Sequence, residues 1–284
     1  MNRRILILGS GGQIGAYLTD YLNKIGYEVL EFDIVNGLHH DMTEIPNPEL
    51  HRKIMLSHFV FFLAFDVGGS HYLKKYQHTF KFIDNNARMM ANVFGLLEKY
   101  DKPFVFASSQ MSNMSYSPYG VMKRVGELYT KSLGGLIVKF WNVYGIEKDM
   151  EKAHVITDFI RKGFETGVID MMTDGTESRE FLYAEDCCEG LEAVMGNYDR
   201  LTSDDELHIT TGNSTTILEI AQSIQRLFSN IGKEVVIKPA ESKDEVQKDA
   251  KNVSDPYIQK FWRSTTSVKE GLTKVFYEMK KNYE

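Results

Sequence analysis

Three side chains in the first half of the sequence could move a proton between them. Tyr119-Gly-Val-Met-Lys123 sets a phenol and an ammonium one turn apart on the same face of a helix. A free phenol titrates near ~10 and is a poor base at neutral pH. A neighbouring ammonium favours the phenolate and moves it toward the working range, as a tyrosine acting as general acid–base requires. The spacing recurs at Tyr144–Lys148 and Tyr277–Lys281, and an ordinary amphipathic helix accounts for the second of these. What sets Tyr119 apart is the run before it. Phe104-Val-Phe-Ala-Ser108-Ser109 reads as a buried strand ending in hydroxyls, at the edge where open α/β sheets bind ligands. Ser109 can there hydrogen-bond a reacting oxygen.

The residues that would hold a cofactor against this edge open the chain. Ile5–Leu8 reads as a buried strand, and Gly9-Ser-Gly-Gly12-Gln13-Ile14-Gly15 leads from it straight into a helix. Glycine permits the tight turn, a second glycine lets a pyrophosphate approach the backbone, and a third lets helix and strand pack closely. The helix amino end offers N–H groups and the positive end of its dipole. Asp33, at the end of the second strand, completes a dinucleotide pattern, because a carboxylate there accepts hydrogen bonds from the adenosine ribose. The competing reading of Asp33 is a residue that merely begins a turn. No Arg or Lys occurs from Asp33 to Gly37 to receive a 2′-phosphate, so NAD is expected over NADP. Asp41 and Met42 are expected beside the adenine, with a plain loop role as the alternative.

Composition sets outer bounds. The 284 residues are 43% apolar and 25% charged, enough for one large or two smaller domains. A net charge of −6 and a pI near 5.8 argue against a nucleic-acid partner. Cys187 and Cys188 are adjacent and cannot form a disulfide framework, and no Cys or His spacing suggests zinc. His39-His40-Asp41 reads as a turn and not as a metal site. The apolar run after Met1-Asn-Arg-Arg stops at Gly9, too short for a signal peptide, and no stretch is long enough to span a membrane. A cytoplasmic protein is expected.

The elements that must position these groups alternate in the manner of a parallel sheet wrapped by helices. Strands are predicted at 5–8, 28–32, 58–63, 103–108 and 136–140, and helices at 13–25, 78–100 and 119–133. Beyond Gly145 the predicted helices are 155–164, 217–231 and 268–281, with short strands at 168–172, 181–183 and 235–238. The charged stretch Glu241–Lys251 reads as a solvated loop. A boundary near residue 150 separates a dinucleotide-binding domain, 1–150, from a mainly substrate-binding domain, 151–284, with elements that can interleave.

Taken together, the motifs resemble those of the extended short-chain dehydrogenase/reductases that act on sugar nucleotides. The resemblance spans nearly the whole chain. It rests on Gly9-x-x-Gly12-x-x-Gly15, Asp33, Leu63-Ala64-Phe65, Asn86, Ala107-Ser-Ser109, Tyr119-x-x-x-Lys123, Asn142-Val-Tyr-Gly145 and Arg179-Glu-Phe-Leu-Tyr-Ala-Glu-Asp186. It implies an α/β fold: a doubly wound, seven-stranded Rossmann sheet with a smaller C-terminal α/β substrate domain. It implies NAD as cofactor and a nucleotide-diphosphate sugar as substrate, with Leu63 and Ala64 along the cofactor. Tyr119 would take a proton from a sugar hydroxyl while hydride passes to NAD, and Lys123 would also hold the nicotinamide ribose. Asn86, Ser109, Gln110, Asn142, His154 and Arg179 would face the substrate. For Arg179 a surface ion pair with Glu180 or Glu185 is the alternative. Asn86 and Asn142 read equally as turn or helix-packing residues. Helices 78–100 and 119–133 form a dimer bundle in relatives, so a homodimer is expected.

Departures from the family pattern narrow the reaction. Relatives that dehydrate a sugar carry an Asp-Glu pair directly after the serine, where Gln110 and Met111 stand. Asp66-Val-Gly-Gly69 resembles a loop of GDP-mannose 3,5-epimerases and GDP-fucose synthases, but their cysteine acid/base is here Met111. Their second acid/base position matches His154, or less well Lys152. The stretch between Ser109 and Tyr119 is short, which implies a more open or reshaped sugar pocket. An epimerase acting through a transient keto sugar, most simply at C4, is therefore expected. A 4-keto-sugar reductase or a dehydratase is the alternative, and a non-catalytic dinucleotide sensor or scaffold is a third reading.

Overall fold

The computed structural model describes residues 3–247 and 253–284. Its elements are β1 (Arg4–Leu8), α1 (Gln13–Lys24), β2 (Glu28–Phe32), α2 (Pro48–Leu56), β3 (Phe59–Phe62), α3 (Ser70–Tyr76), α4 (Phe80–Tyr100), β4 (Phe104–Ser109), α5 (Pro118–Ser132) and β5 (Leu136–Phe140). There follow β6 (Asn142–Tyr144), α6 (Val155–Thr166), β7 (Val168–Asp170), β8 (Ser178–Tyr183), α7 (Ala184–Gly196), β9 (Leu207–Ile209), β10 (Ser214–Thr216), α8 (Ile217–Asn230), β11 (Val236–Lys238) and α9 (Val268–Lys280). Among the described residues no helix is long and apolar enough to cross a membrane.

The main sheet is parallel throughout, in the order β2-β1-β3-β4-β5-β9. Its central strands are apolar on both faces, because helices cover both. One layer packs Leu18 and Leu22 of α1 with Cys187, Cys188 and Leu191 of α7. The other packs Leu50 and Ile54 of α2 with Met90, Val93 and Phe94 of α4. The sheet has six strands among the described residues, where the resemblance implied seven. Past Phe140 the chain leaves it, and β6 pairs with β8, which pairs in turn with β10.

The first sheet draws on both sides of residue 150. Its sixth strand, β9, lies parallel to β5 with Lys139 opposite His208. A second core gathers Ile156 and Phe159 of α6, Ile220 and Phe228 of α8, and Leu272 and Phe276 of α9. Several short elements, among them α2, α3, α7, β9 and β10, have no counterpart in the periodicity of the sequence. Three-residue strands such as β9 are too brief to alternate detectably.

Candidate active site

The glycine turn between β1 and α1 is required by contact, not only by curvature. Gly9 adopts φ +91°, and a Cβ there would lie 2.6 Å from the Ala64 nitrogen. A Cβ on Gly15 would lie 2.0 Å from the Gly9 carbonyl oxygen, so helix and turn touch through backbone alone. Gly12 caps α1, and no side chain bonds the first-turn N–H groups. The loop after β3 is stapled to β1 by the Leu63 and Ala64 N–H groups, both donating to the Leu8 carbonyl.

These residues border a groove of about 720 Å³ that runs past Gln13, Ile14, Asp33, Asp41, Met42, Leu63 and Ala64 to Lys123. Asp33 begins a turn, as one of its readings had it. Its carboxylate accepts from Gly11 N–H at 2.9 Å and Val35 N–H at 3.0 Å, capping the short turn Ile34–Asn36, while it also lines the groove. Asp41 likewise accepts from the Thr43 N–H and hydroxyl, at 2.8 and 2.7 Å. A backbone cradle, an uncapped helix amino end and a carboxylate at the end of the second strand fit a dinucleotide.

Ser109, Tyr119 and Lys123 converge at the far end of the groove. Ser109 ends β4, and its Oγ accepts from Met111 N–H at 3.1 Å. Ser117 caps α5, accepting from Gly120 N–H, and Pro118 starts its first turn. A Cβ on Gly120 would lie 2.1 Å from the Met111 carbonyl oxygen, so this glycine lets α5 sit directly on the turn after Ser109. Lys123 Nζ donates to the Ala107 carbonyl at 2.6 Å and lies 3.8 Å from the Phe65 ring centre and 5.9 Å from that of Tyr119. The neighbouring Ser108 has a different task, donating at 2.6 Å to the buried Glu127.

In the chain alone, burial sets the protonation of Tyr119 and Lys123. Burial pushes the Tyr119 phenol up to about 12, and the Ser109 hydrogen bond only partly offsets this. Burial pushes Lys123 down to about 7, against the pull of Glu127. In the chain alone, then, desolvation outweighs the ammonium, and the phenol is not brought toward neutrality by its lysine. Positive charge in the adjoining groove is what the arrangement still calls for.

A second cavity, of about 370 Å³, meets the first at Ser109, Tyr119, Trp141 and His154. Gln110, Asn142 and Arg179 also line it. The Asn142 amide donates to the Glu180 carbonyl at 3.4 Å. His154 is held by Glu147, with Nδ1 at 2.6 Å from one carboxylate oxygen and its N–H donating at 2.8 Å to the other. Burial works against charge on this imidazole, but the carboxylate outweighs it and raises the pKa. Lys152 is engaged elsewhere, with Asp66 at 3.4 Å.

The ion-pair alternative for Arg179 does not hold here, and Asn86 takes its packing alternative. Arg179 pairs with neither Glu180 nor Glu185: its guanidinium engages Asp244 and donates to the Gln247 carbonyl at 3.3 Å. Glu180 is buried and accepts from Thr210, Gly212 and Ser254, while Glu185 meets Lys274 at 3.1 Å. Asn86 lines neither cavity. Fully buried in α4, it bonds the Phe82 carbonyl and both backbone groups of Asp66, and so anchors the Leu63–Asp66 loop from behind.

The charged stretch after Glu241 is not simply a solvated loop. Residues 242–247 wall the second cavity: Val246 is buried with Met111, Met114 and Tyr119, and Gln247 accepts from the Gln110 amide at 2.9 Å. Residues 248–251 of that stretch lie outside the described residues. Val246 and Gln247 meet the Ser109–Tyr119 segment, so part of the cavity wall comes from the C-terminal half. Sequence reasoning missed the strap, Trp141 and Glu147. The one available signal was Val246, a lone apolar residue in a charged run.

Residues 5–210 match the model of the NAD dependent epimerase/dehydratase family. The chain belongs to that family. As a member it is an NAD-dependent enzyme. UDP-glucuronic acid decarboxylase 1 of Xenopus tropicalis is 22% identical over 99% of this chain and 73% of its own length. GDP-L-fucose synthase of Sinorhizobium fredii (strain NBRC 101917 / NGR234) is 24% identical over 96% of this chain and 94% of its own. The solved structure of epimerase Mth375 from Methanothermobacter thermautotrophicus shares the fold, with a TM-score of 0.83, 20% identity, and coverage of 99% and 93% of the two chains.

Proposed function

We propose that this epimerase/dehydratase-family enzyme interconverts epimers of a nucleotide-diphosphate sugar through a transient keto sugar, most simply at C4. The observation that carries the reading is the meeting of the two cavities at Ser109 and Tyr119. The UDP- and GDP-linked sugars named in the relatives support the substrate class. NAD, when bound in the groove, supplies a hydride acceptor and donor beside that meeting point. Tyr119 takes the proton of a sugar hydroxyl at its phenolic oxygen and later returns it, and Ser109 donates to the same sugar oxygen. Arg179 suits the diphosphate because a guanidinium bonds such oxygens in pairs. Gln110 and Met111 offer no carboxylate to eliminate water, which favours an outcome needing only the triad.

The test is a panel of UDP-, GDP-, CDP- and dTDP-sugars incubated with the enzyme in deuterated water. Inversion without solvent deuterium is expected. Deuterium at C3 or C5, or net loss of water or carbon dioxide, would sink the reading. A reductase acting on a 4-keto sugar nucleotide is the second reading, favoured by the Glu147–His154 pair, in which the carboxylate raises the imidazole's pKa where the cavities meet. It predicts stoichiometric consumption of reduced nicotinamide, whereas an epimerase shows none.

A further inference from the structure

Trp141 stands between β5 and β6, where the chain leaves one sheet for the other, and its indole lines both cavities. A flat side chain with two torsions presents a defined wall only when its polar end is held. Here the indole Nε1–H donates to His208 Nδ1 at 3.3 Å, with ring centres 5.9 Å apart. The same Nδ1 accepts the Asp255 N–H at 3.1 Å, and Nε2 lies 3.0 Å from a Glu206 carboxylate oxygen. Lys139 Nζ, buried and opposite His208 in the sheet, fixes that carboxylate at 3.1 Å.

Two N–H groups aimed at one ring nitrogen require a lone pair there, so the proton sits on Nε2 and the imidazole is neutral. Burial favours this state by lowering the pKa, against the hydrogen bond that Nε2–H donates to Glu206. None of these residues belongs to the acid–base triad. Among the described residues, Trp141 is the member of the network that lines the cavities.

We propose that His208 is a positioning residue acting through Trp141: it locks the indole at the junction of the two cavities and so fixes how the sugar lies against the cofactor groove. This rests on the reading of those cavities as cofactor and sugar sites. It adds a residue from the last strand of the sheet, remote in sequence from every catalytic motif. An unlocked indole leaves proton transfer at Tyr119 intact but lets the sugar sit in more than one pose. The expected signature is weakened substrate capture, and a keto sugar that escapes before the nicotinamide is reoxidised.

The chain has two tryptophans, so Trp262→Phe leaves Trp141 as the sole tryptophan, excited at the red edge where tyrosine does not absorb. In that background, NAD-loaded His208→Leu removes the acceptor and His208→Gln keeps one. His208→Leu is expected to lower Trp141 emission anisotropy and to raise KM about tenfold for the nucleotide sugar that the parent converts, the loss of one hydrogen bond's worth of ordering. Reduced nicotinamide should accumulate on the enzyme, kcat should change less than KM, and His208→Gln should restore all four readouts. Adding Trp141→Phe to His208→Leu should do no more than Trp141→Phe alone. Unchanged anisotropy and KM in His208→Leu, or additive effects in the double variant, would overturn the proposal. Should no panel sugar turn over, the functional reading falls. Anisotropy, and energy transfer from Trp141 to added NADH, then decide the proposal: equal values in the parent and both His208 variants overturn it. Should His208→Leu fail to fold, Trp141→Phe and Trp141→Leu replace it, and an unchanged KM in both is the overturning result.

Discussion

At Tyr119 and Lys123, burial acts against the charged form of each residue. The phenol is pushed up and the ammonium down, so the pair is least reactive as long as the groove holds no positive charge. Tyr119→Phe is expected to lower kcat by about 10²–10⁴, the usual range for a lost general acid–base, with NAD affinity nearly unchanged by calorimetry. Lys123 also makes a prediction about stability. Between its folded value of about 7 and its ordinary 10.5, the unfolded chain holds a proton that the folded chain lacks, so this group makes stability rise with pH across that window. Below the window its buried charge destabilises the fold in full. Lys123→Met in the cofactor-free protein should therefore raise the melting temperature relative to the parent, most below about pH 7. The gain should shrink as pH rises through the window. A gain that grows with pH would contradict the assignment.

Among elements, the strap at 242–247 is the part whose position has the most direct consequence. Asp244 holds the Arg179 guanidinium, so on the proposed reading a substrate diphosphate would compete with the strap for one cation. Asp244→Asn should tighten binding of UDP or GDP several-fold at low salt, read by calorimetry, and the gain should fade as salt rises. Weaker binding would mean that Asp244 serves to orient the arginine, not to occupy it. The reading of this stretch as a solvated loop fits its exposed charged side chains but missed Val246 and Gln247. Net charge along a run reports its exposed side chains, whereas the wall is made by one buried valine and one amide.

For the whole molecule, α4 and α5 pack together and expose several large apolar side chains. Phe80, Val121, Leu128 and Tyr129 are 81, 43, 57 and 42% exposed there. A homodimer through these two helices is expected, and light scattering of Leu128→Glu combined with Val121→Glu should then give a monomer. A parent that already runs as a monomer would refute it. The interleaving of the two halves has a further effect on any cut near residue 150, since β9 would be lost from the first sheet.

The sequence by itself determined whatever depends on near neighbours along the chain. The glycine turn, the strand into Ser109 and the single turn from Tyr119 to Lys123 are short-range patterns, set by backbone freedom and helical periodicity. The family followed from these, and with it the cofactor. The tertiary structure alone decided how the sugar side of the site is walled. The Gln110–Gln247 contact joins residues 137 apart, Arg179 meets Asp244 65 residues on, and Trp141 is gripped by a histidine 67 residues away. It also decided that burial outweighs the Tyr–Lys attraction, because desolvation depends on everything packed around a group and not on its partner four residues along.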